Sequence, residues 1–216
     1  MRNLKLKQRI CEISYRHQLS HLGSVLTAVD LIYDIYTIKK DNEPFILSAG
    51  HAFLALAVVL EDKYKIDAEK LWLKHGTHPN RDVQNKIDCS TGSLGQGLPI
   101  AVGMALANRT RDVFCLTSDG EMCEGSMWEA LRFSAEQKLE NLKVVVNCNG
   151  FGAYSNIDLD RLQWRLGAFI EKGCPKIAPI RTNYDDFPFL KGVDAHYYKL
   201  TKENYELVAS FKDNDL

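Results

Sequence analysis

An aspartate and an asparagine, each closing a short apolar run, are the residues of this chain best placed to do chemistry. Val113 to Thr117 leads into Ser118-Asp119-Gly120-Glu121, and Val144 to Val146 leads into Asn147-Cys148-Asn149-Gly150. Apolar runs of this length, bounded by polar residues and glycine, read as buried strands. A carboxylate and an amide at the C-terminal lips of two parallel strands supply hard oxygen ligands of the kind Mg²⁺ takes. Other positions on the ion then stay open for diphosphate oxygens and water. Gly120, directly after the acid, lets the backbone come close to a phosphate.

Asn149 follows Asp119 by 30 residues, and this Asp-Gly to Asn spacing resembles the thiamine diphosphate fingerprint. The neighbouring words Glu124-Gly125, Trp128-Glu129-Ala130 and Leu139-Glu140-Asn141-Leu142 are similar to those of transketolases. Four further motifs match the diphosphate half of that family in its own order. Ser20-His21-Leu22-Gly23 with Val29-Asp30-Leu31 resembles the first Gly-His motif, and Leu47-Ser48-Ala49-Gly50-His51 the second histidine motif. Thr77-His78-Pro79 resembles the Gly-His-Pro motif. Ser90-Thr91-Gly92-Ser93-Leu94-Gly95-Gln96-Gly97 is similar to the turn that carries the aminopyrimidine ring. The sequence departs from the family at Ser20, Thr77 and Ser118, each standing where a glycine is usual. The likeness covers about residues 10 to 150.

Three of the six histidines, His21, His51 and His78, sit beside Gly, Ser, Thr or Pro and not on apolar helix faces. A neutral imidazole accepts or donates a proton near neutral pH and can hydrogen-bond a developing alkoxide, as carbon–carbon cleavage beside a carbonyl requires. The resemblance implies that His21 and His78 face substrate oxygens and that His51 faces the diphosphate. It also implies cofactor contacts from Gly92, Leu94 and Gly120. Asp119, Asn149 and the Phe151 carbonyl are the metal ligands it implies. Glu124 would contact, across a subunit interface, the glutamate that activates the thiamine ring. Lys191-Gly192-Val193-Asp194-Ala195-His196-Tyr197 resembles the late histidine motif, which implies that the His196 imidazole approaches the diphosphate and the reacting carbons, although the segment between Asn149 and His196 is abridged. His17 and His75 read as structural. No Cys or carboxylate cluster in the sequence completes a zinc site around His75 and His78.

Thiamine diphosphate needs a carboxylate against its pyrimidine ring, and in the family that group belongs to a second, pyrimidine-binding domain. No motif of that domain occurs in the 216 residues. The resemblance therefore implies the N-terminal subunit of a split transketolase, with a separately encoded C-terminal partner and two copies of each half. It would use thiamine diphosphate and Mg²⁺ to transfer a two-carbon ketol unit between sugar phosphates. A deoxyxylulose-phosphate-synthase-like or other specialised sugar-building enzyme is the alternative within the thiamine enzymes. A catalytically silent scaffold protein is the alternative outside them. A different phosphate-binding enzyme is disfavoured, since neither Gly-x-x-x-x-Gly-Lys-Ser/Thr nor Gly-x-Gly-x-x-Gly occurs.

The elements that must position these residues alternate along the chain, which predicts an α/β fold: a mostly parallel sheet covered by helices on both faces. Helical faces are read at Leu6, Ile10 and Ile13, and at Leu26, Val29, Ile32, Tyr33 and Tyr36. Further helices are expected over Ala52 to Tyr64, after an Asp67 cap, and over about Gln96 to Ala107, Leu159 to Phe169 and Thr201 to Phe211. Strands are expected at Phe45 to Leu47 and Ile177 to Ile180, besides the two that end in the site. A structureless loop is read from Gly76 to about Leu94. Residues 1–216 are taken as a single diphosphate-binding domain. With 27 basic and 28 acidic residues the chain carries no global field for nucleic acid or an anionic membrane. Its longest apolar run, Ala52 to Leu60, is too short for a membrane helix. The N-terminus has no apolar signal core, so the expected location is cytoplasmic. The six scattered cysteines read as reduced thiols.

Overall fold

The computed structural model describes residues 1–171 and 174–212. Four strands, β1 (Phe45–Leu47), β2 (Val113–Ser118), β3 (Leu142–Cys148) and β4 (Lys176–Arg181), form one sheet in the order β1-β2-β3-β4, with every pairing parallel. Helices precede, connect and follow the strands: α1 (Leu4–His17) and α2 (Leu22–Ile38) before β1, α3 (Phe53–Tyr64), α4 (Ala68–His75) and α5 (Gly97–Ala107) between β1 and β2, α6 (Gly125–Glu136) and α7 (Leu159–Glu171) in the next two connections, and α8 (Lys202–Ser210) after β4.

The two-residue period of the strands divides the core into two. Phe45, Leu47, Phe114 and Leu116 point to a layer built from α1, α2 and α3. Ile46, Val113, Cys115, Val144 and Val146 point to the opposite layer, built from α5, α6 and α7. Both faces are thus covered, as an all-parallel sheet requires. The outer strand β4 is mostly exposed and tolerates Pro179, which has no N–H to give to a further strand.

Most expected elements lie within a few residues of their positions. Asp67 caps α4 by accepting the Lys70 backbone N–H at 2.9 Å, and Thr201 caps α8 in the same way through Asn204. The helix α2 is buried beyond its expected face, at Leu22, Val25, Ala28, Leu31 and Ile35 as well. It lies between the sheet and its neighbours α1 and α3, so little of its circumference meets water.

The segment from Gly76 to Leu94 is not structureless. Asp82 accepts bonds from Lys74 Nζ at 2.6 Å and Asn85 Nδ2 at 2.7 Å, and pairs with His75 Nε2 at 3.1 Å. Backbone bonds of 2.9 Å in both directions tie Asp82 to buried Ile87, around a short 3₁₀ turn at Val83–Asn85. His75 is therefore occupied by the loop's own scaffold. His17 bonds Glu69 at 2.7 Å and stacks on Trp72. The six cysteines are unpaired; Cys123 is exposed, unlike the buried Cys11, Cys115, Cys148 and Cys174. No helix among the described residues is long and apolar enough to cross a membrane.

Candidate active site

The C-terminal ends of β1, β2 and β3 place three loops side by side, and the loop into α2 closes over them. A cavity of about 170 Å³ opens there, lined among others by His21, His51, His78, Gly92, Leu94, Gly120, Asn149, Phe151 and His196. Nine residues singled out in the sequence therefore share one space.

Close packing of the loops explains two of the glycines. A Cβ on Gly50 would lie 2.7 Å from the Gly92 backbone nitrogen, and one on Gly92 would lie 2.8 Å from the His78 ring. Either side chain would push apart the loops that carry His51 and His78. Gly120 differs. Its backbone is helical, φ −61°, and an added Cβ would meet only the Gly152 Cα at 3.5 Å and Ser118 Oγ at 3.9 Å. Neither conformation nor packing within the chain demands glycine at that position.

The imidazoles form a cluster. The His21 ring lies 4.3 Å from that of His196 and 5.4 Å from that of His51, centroid to centroid. The His21 backbone N–H donates to the His196 carbonyl at 2.8 Å. The helical turn Gly192–His196 thus seats a late histidine against an early one despite the abridged segment. Ser20 Oγ, where a glycine is usual, lies 2.9 Å from His21 Nδ1 and fixes one edge of the ring. Burial, reinforced by the neighbouring imidazoles, lowers His21 to about 4 and His51 to about 3. His196 is lowered by burial as well. These rings are neutral at physiological pH and available as hydrogen-bond partners and proton acceptors.

Asp119 does not line the cavity. It is 1% exposed, just behind Gly120. Its Oδ1 accepts the Gly120 N–H at 2.9 Å and its Oδ2 the Gly150 N–H at 2.6 Å. Desolvation raises its carboxyl to about 6 in spite of these bonds. Asn149 Oδ1 accepts the Phe151 N–H at 3.0 Å, which sets the amide across the loop. The Phe151–Asn156 bridge is made by the groups of Gly150, Gly152, Ser155 and Ile157, so among the described residues the Phe151 carbonyl has no donor. Glu124 also lies outside the cavity, exposed at the N-terminal end of α6, with its Cβ packed on the Gly95 turn.

Glu121 was not singled out in the sequence as a site residue, yet it is fully buried beneath the site. It accepts bonds from Ser48 Oγ at 2.8 Å and from the N–H groups of Gly95 and Ser118, both at 3.2 Å. Burial raises its carboxyl above the usual carboxylate range. Thr27 and Asn147 were also missed: Asn147 Nδ2 donates to Thr27 Oγ1 at 3.0 Å, joining α2 to the end of β3. A polar residue inside an apolar strand, as Asn147 is, was the available signal.

The parallel sheet, the strand-end acid and amide, and the glycine-lined cavity define a thiamine diphosphate binding domain. The chain belongs to the transketolase family: the profile of the transketolase thiamine diphosphate binding domain matches residues 21–159. It is 37% identical over 145 residues to transketolase-like protein 2 of Mus musculus, spanning 62% of this chain and 22% of that protein. It is 32% identical over 165 residues to one subunit of the apulose-4-phosphate transketolase of Phocaeicola vulgatus, spanning 67% of this chain and 58% of that protein. The chain thus spans less than two thirds of the length of either relative. The transketolase structure from Campylobacter jejuni superposes with a TM-score of 0.72 at 19% identity, over 96% of this chain and 43% of that one.

Proposed function

We propose that the chain is the diphosphate-binding half of a split transketolase-like enzyme, which transfers a two-carbon ketol unit between sugar phosphates. It would act as a single domain over residues 1–216, with thiamine diphosphate, Mg²⁺ and a separately encoded pyrimidine-binding subunit. The observation that carries this reading is the convergence of four histidines with Gly120, Asn149 and Phe151 in one cavity beside buried Asp119.

The residues fit the cofactor. Backbone N–H groups, among them those of Gly120 and Gly150, hold the Asp119 carboxylate in place beside the cavity. With the Asn149 amide oxygen and the Phe151 carbonyl, the donors are one carboxylate, one amide and one peptide oxygen, all hard ligands suited to Mg²⁺. Gly120, which the fold itself does not need, leaves room for a diphosphate against the backbone. Thiamine diphosphate bound there supplies the carbanion chemistry that cleaves a carbon–carbon bond beside a carbonyl. The protein's part is positioning and proton transfer. His51 is neutral and deep in the cluster and serves the diphosphate side. His21 and His78 stand at substrate oxygens, donating or accepting the proton as an alkoxide forms. His196 holds the His21 loop through its carbonyl. Glu124 meets the partner's activating glutamate.

Two relatives, each named as one subunit of an apulose-4-phosphate transketolase, support the split arrangement. So do apolar side chains left exposed on the second layer, Ile100 and Leu106 on α5, Phe133 on α6 and Trp164 on α7. Two copies of each half and a cytoplasmic location belong to the same proposal. The test is to purify the chain alone and with a pyrimidine-binding partner, add Mg²⁺ and thiamine diphosphate, and assay transfer from a ketose phosphate to an aldose phosphate. Transfer should require both proteins. Full activity of the isolated chain would overturn the split reading, and no cofactor binding in the complex would overturn the site.

A further inference from the structure

A second cavity, of about 330 Å³, lies at the opposite end of the sheet. Lys39 to Pro44 lead into β1 and Arg111 precedes β2, so the cavity opens where the parallel strands begin. The histidine cluster lies where they end. A six-residue strand separates the two by about 20 Å.

Four cationic side chains line this cavity, Lys39, Arg81, Lys86 and Arg111. None of them forms an ion pair with a carboxylate among the described residues. Lys39 Nζ donates to the Lys40 carbonyl at 3.0 Å, and an Arg111 Nη donates to the Asn42 carbonyl at 3.2 Å. Arg111 Nε is buried with no acceptor at all. The ammonium groups of Lys39 and Lys86 lie 5.0 and 5.1 Å from the ring centres of Tyr36 and Tyr64.

Three carboxylates also border the space, and each accepts a hydrogen bond from a neighbouring hydroxyl or backbone N–H. Asp41 accepts the Tyr64 hydroxyl at 3.0 Å, Glu43 the Lys40 N–H at 2.8 Å and Asp88 the Phe45 N–H at 2.9 Å. Burial holds the Lys39 ammonium below its ordinary range, only partly offset by Asp88 and the other acids. Four cations against three carboxylates leave the concavity with an excess of positive charge, and the buried Arg111 Nε has no partner within the chain.

We infer that this cavity binds the phosphoryl group of a small phosphorylated metabolite, or phosphate itself. Two guanidinium forks and two ammonium groups match a tetrahedral oxyanion with several acceptor oxygens. The volume is at the small end for ligand pockets, enough for a phosphoryl group and a short carbon skeleton. The rings of Tyr36 and Tyr64 would cover the carbon skeleton of an ester.

The experiment is calorimetric titration of the full chain with inorganic phosphate and, separately, glycerol 1-phosphate. Both titrations are run with thiamine diphosphate and Mg²⁺ present, so that the probe does not compete for the diphosphate site, and again with Asp119→Asn. One saturable site is expected. Arg81→Gln and Lys86→Gln, at exposed side chains that hold no ion pair, should each weaken it by about tenfold while thiamine diphosphate affinity stays unchanged. Asp119→Asn should leave it intact. Tighter binding of the ester would assign a phosphorylated metabolite, and equal binding would assign phosphate. No saturable binding of either probe would overturn the inference. So would binding insensitive to Arg81 and Lys86, or binding lost with Asp119→Asn.

Discussion

Ser48 Oγ donates to Glu121 Oε1 at 2.8 Å, joining the end of β1 to the end of β2 across 73 residues of sequence. The same oxygen accepts the Gly95 N–H, and Oε2 accepts the Ser118 N–H, which makes one buried carboxylate the tie between three site loops. Glu121→Ala would strand three donors. We expect a loss of about 2–4 kcal/mol in stability, since each buried unsatisfied group costs roughly 1–3 kcal/mol and relaxation recovers part of the total. Urea unfolding of the variant checks this, and a loss below about 0.5 kcal/mol would contradict the tie. Glu121→Gln keeps one acceptor oxygen and should cost less.

Gly120 separates folding from binding. An added methyl meets nothing closer than 3.5 Å and the backbone there is helical. Gly120→Ala should therefore leave the unfolding midpoint nearly unchanged. Affinity for thiamine diphosphate should fall by at least about tenfold, as the methyl occupies the space left for the diphosphate. Unaltered affinity would show that the cofactor does not approach this backbone.

Asp119→Asn tests the metal assignment with minimal change of shape. The amide would lose the negative charge and set an N–H₂ group against a backbone N–H, at Gly120 or at Gly150. Mg²⁺-dependent binding of thiamine diphosphate should weaken by about a hundredfold or more. Equal affinity with and without Mg²⁺ in the wild-type protein would remove the metal from the site.

The histidine cluster should make stability fall with acid. His51 is held at about 3 and His21 at about 4, against an ordinary value of 6.5. Between those values and pH 6.5 the unfolded chain binds protons that the folded chain does not, so stability rises with pH across this window. The contribution is complete above pH 6.5 and is lost as pH falls toward 3 to 4. Asp119, raised from 3.8 to about 6, acts in the opposite sense. The comparison is therefore between wild type and His51→Asn, whose stability curve should be flatter in acid. Parallel curves would mean that His51 is not buried neutral.

The strands and the chemistry at their ends were legible in the sequence because both are local. Apolar runs such as Val113 to Thr117 predict a buried strand from their own residues, and Asp119 and Asn149 follow those runs directly, so no distant contact was needed to find them. The histidine motifs were legible as residue types beside small neighbours. Tertiary structure decided what those signals could not carry. Asp119 lies behind the cavity and Glu124 outside it, because exposure depends on how the loops pack and not on residue order. His196 meets His21 across 175 residues only because the chain returns over α2. Glu121 became a tie between loops because Ser48 and Gly95 come from other strand connections. The cations at the far end of the sheet, spread from Lys39 to Arg111, share a cavity for the same reason. Local periodicity fixes which face of an element is buried, whereas convergence of distant side chains follows from the packing of the whole sheet and its helices.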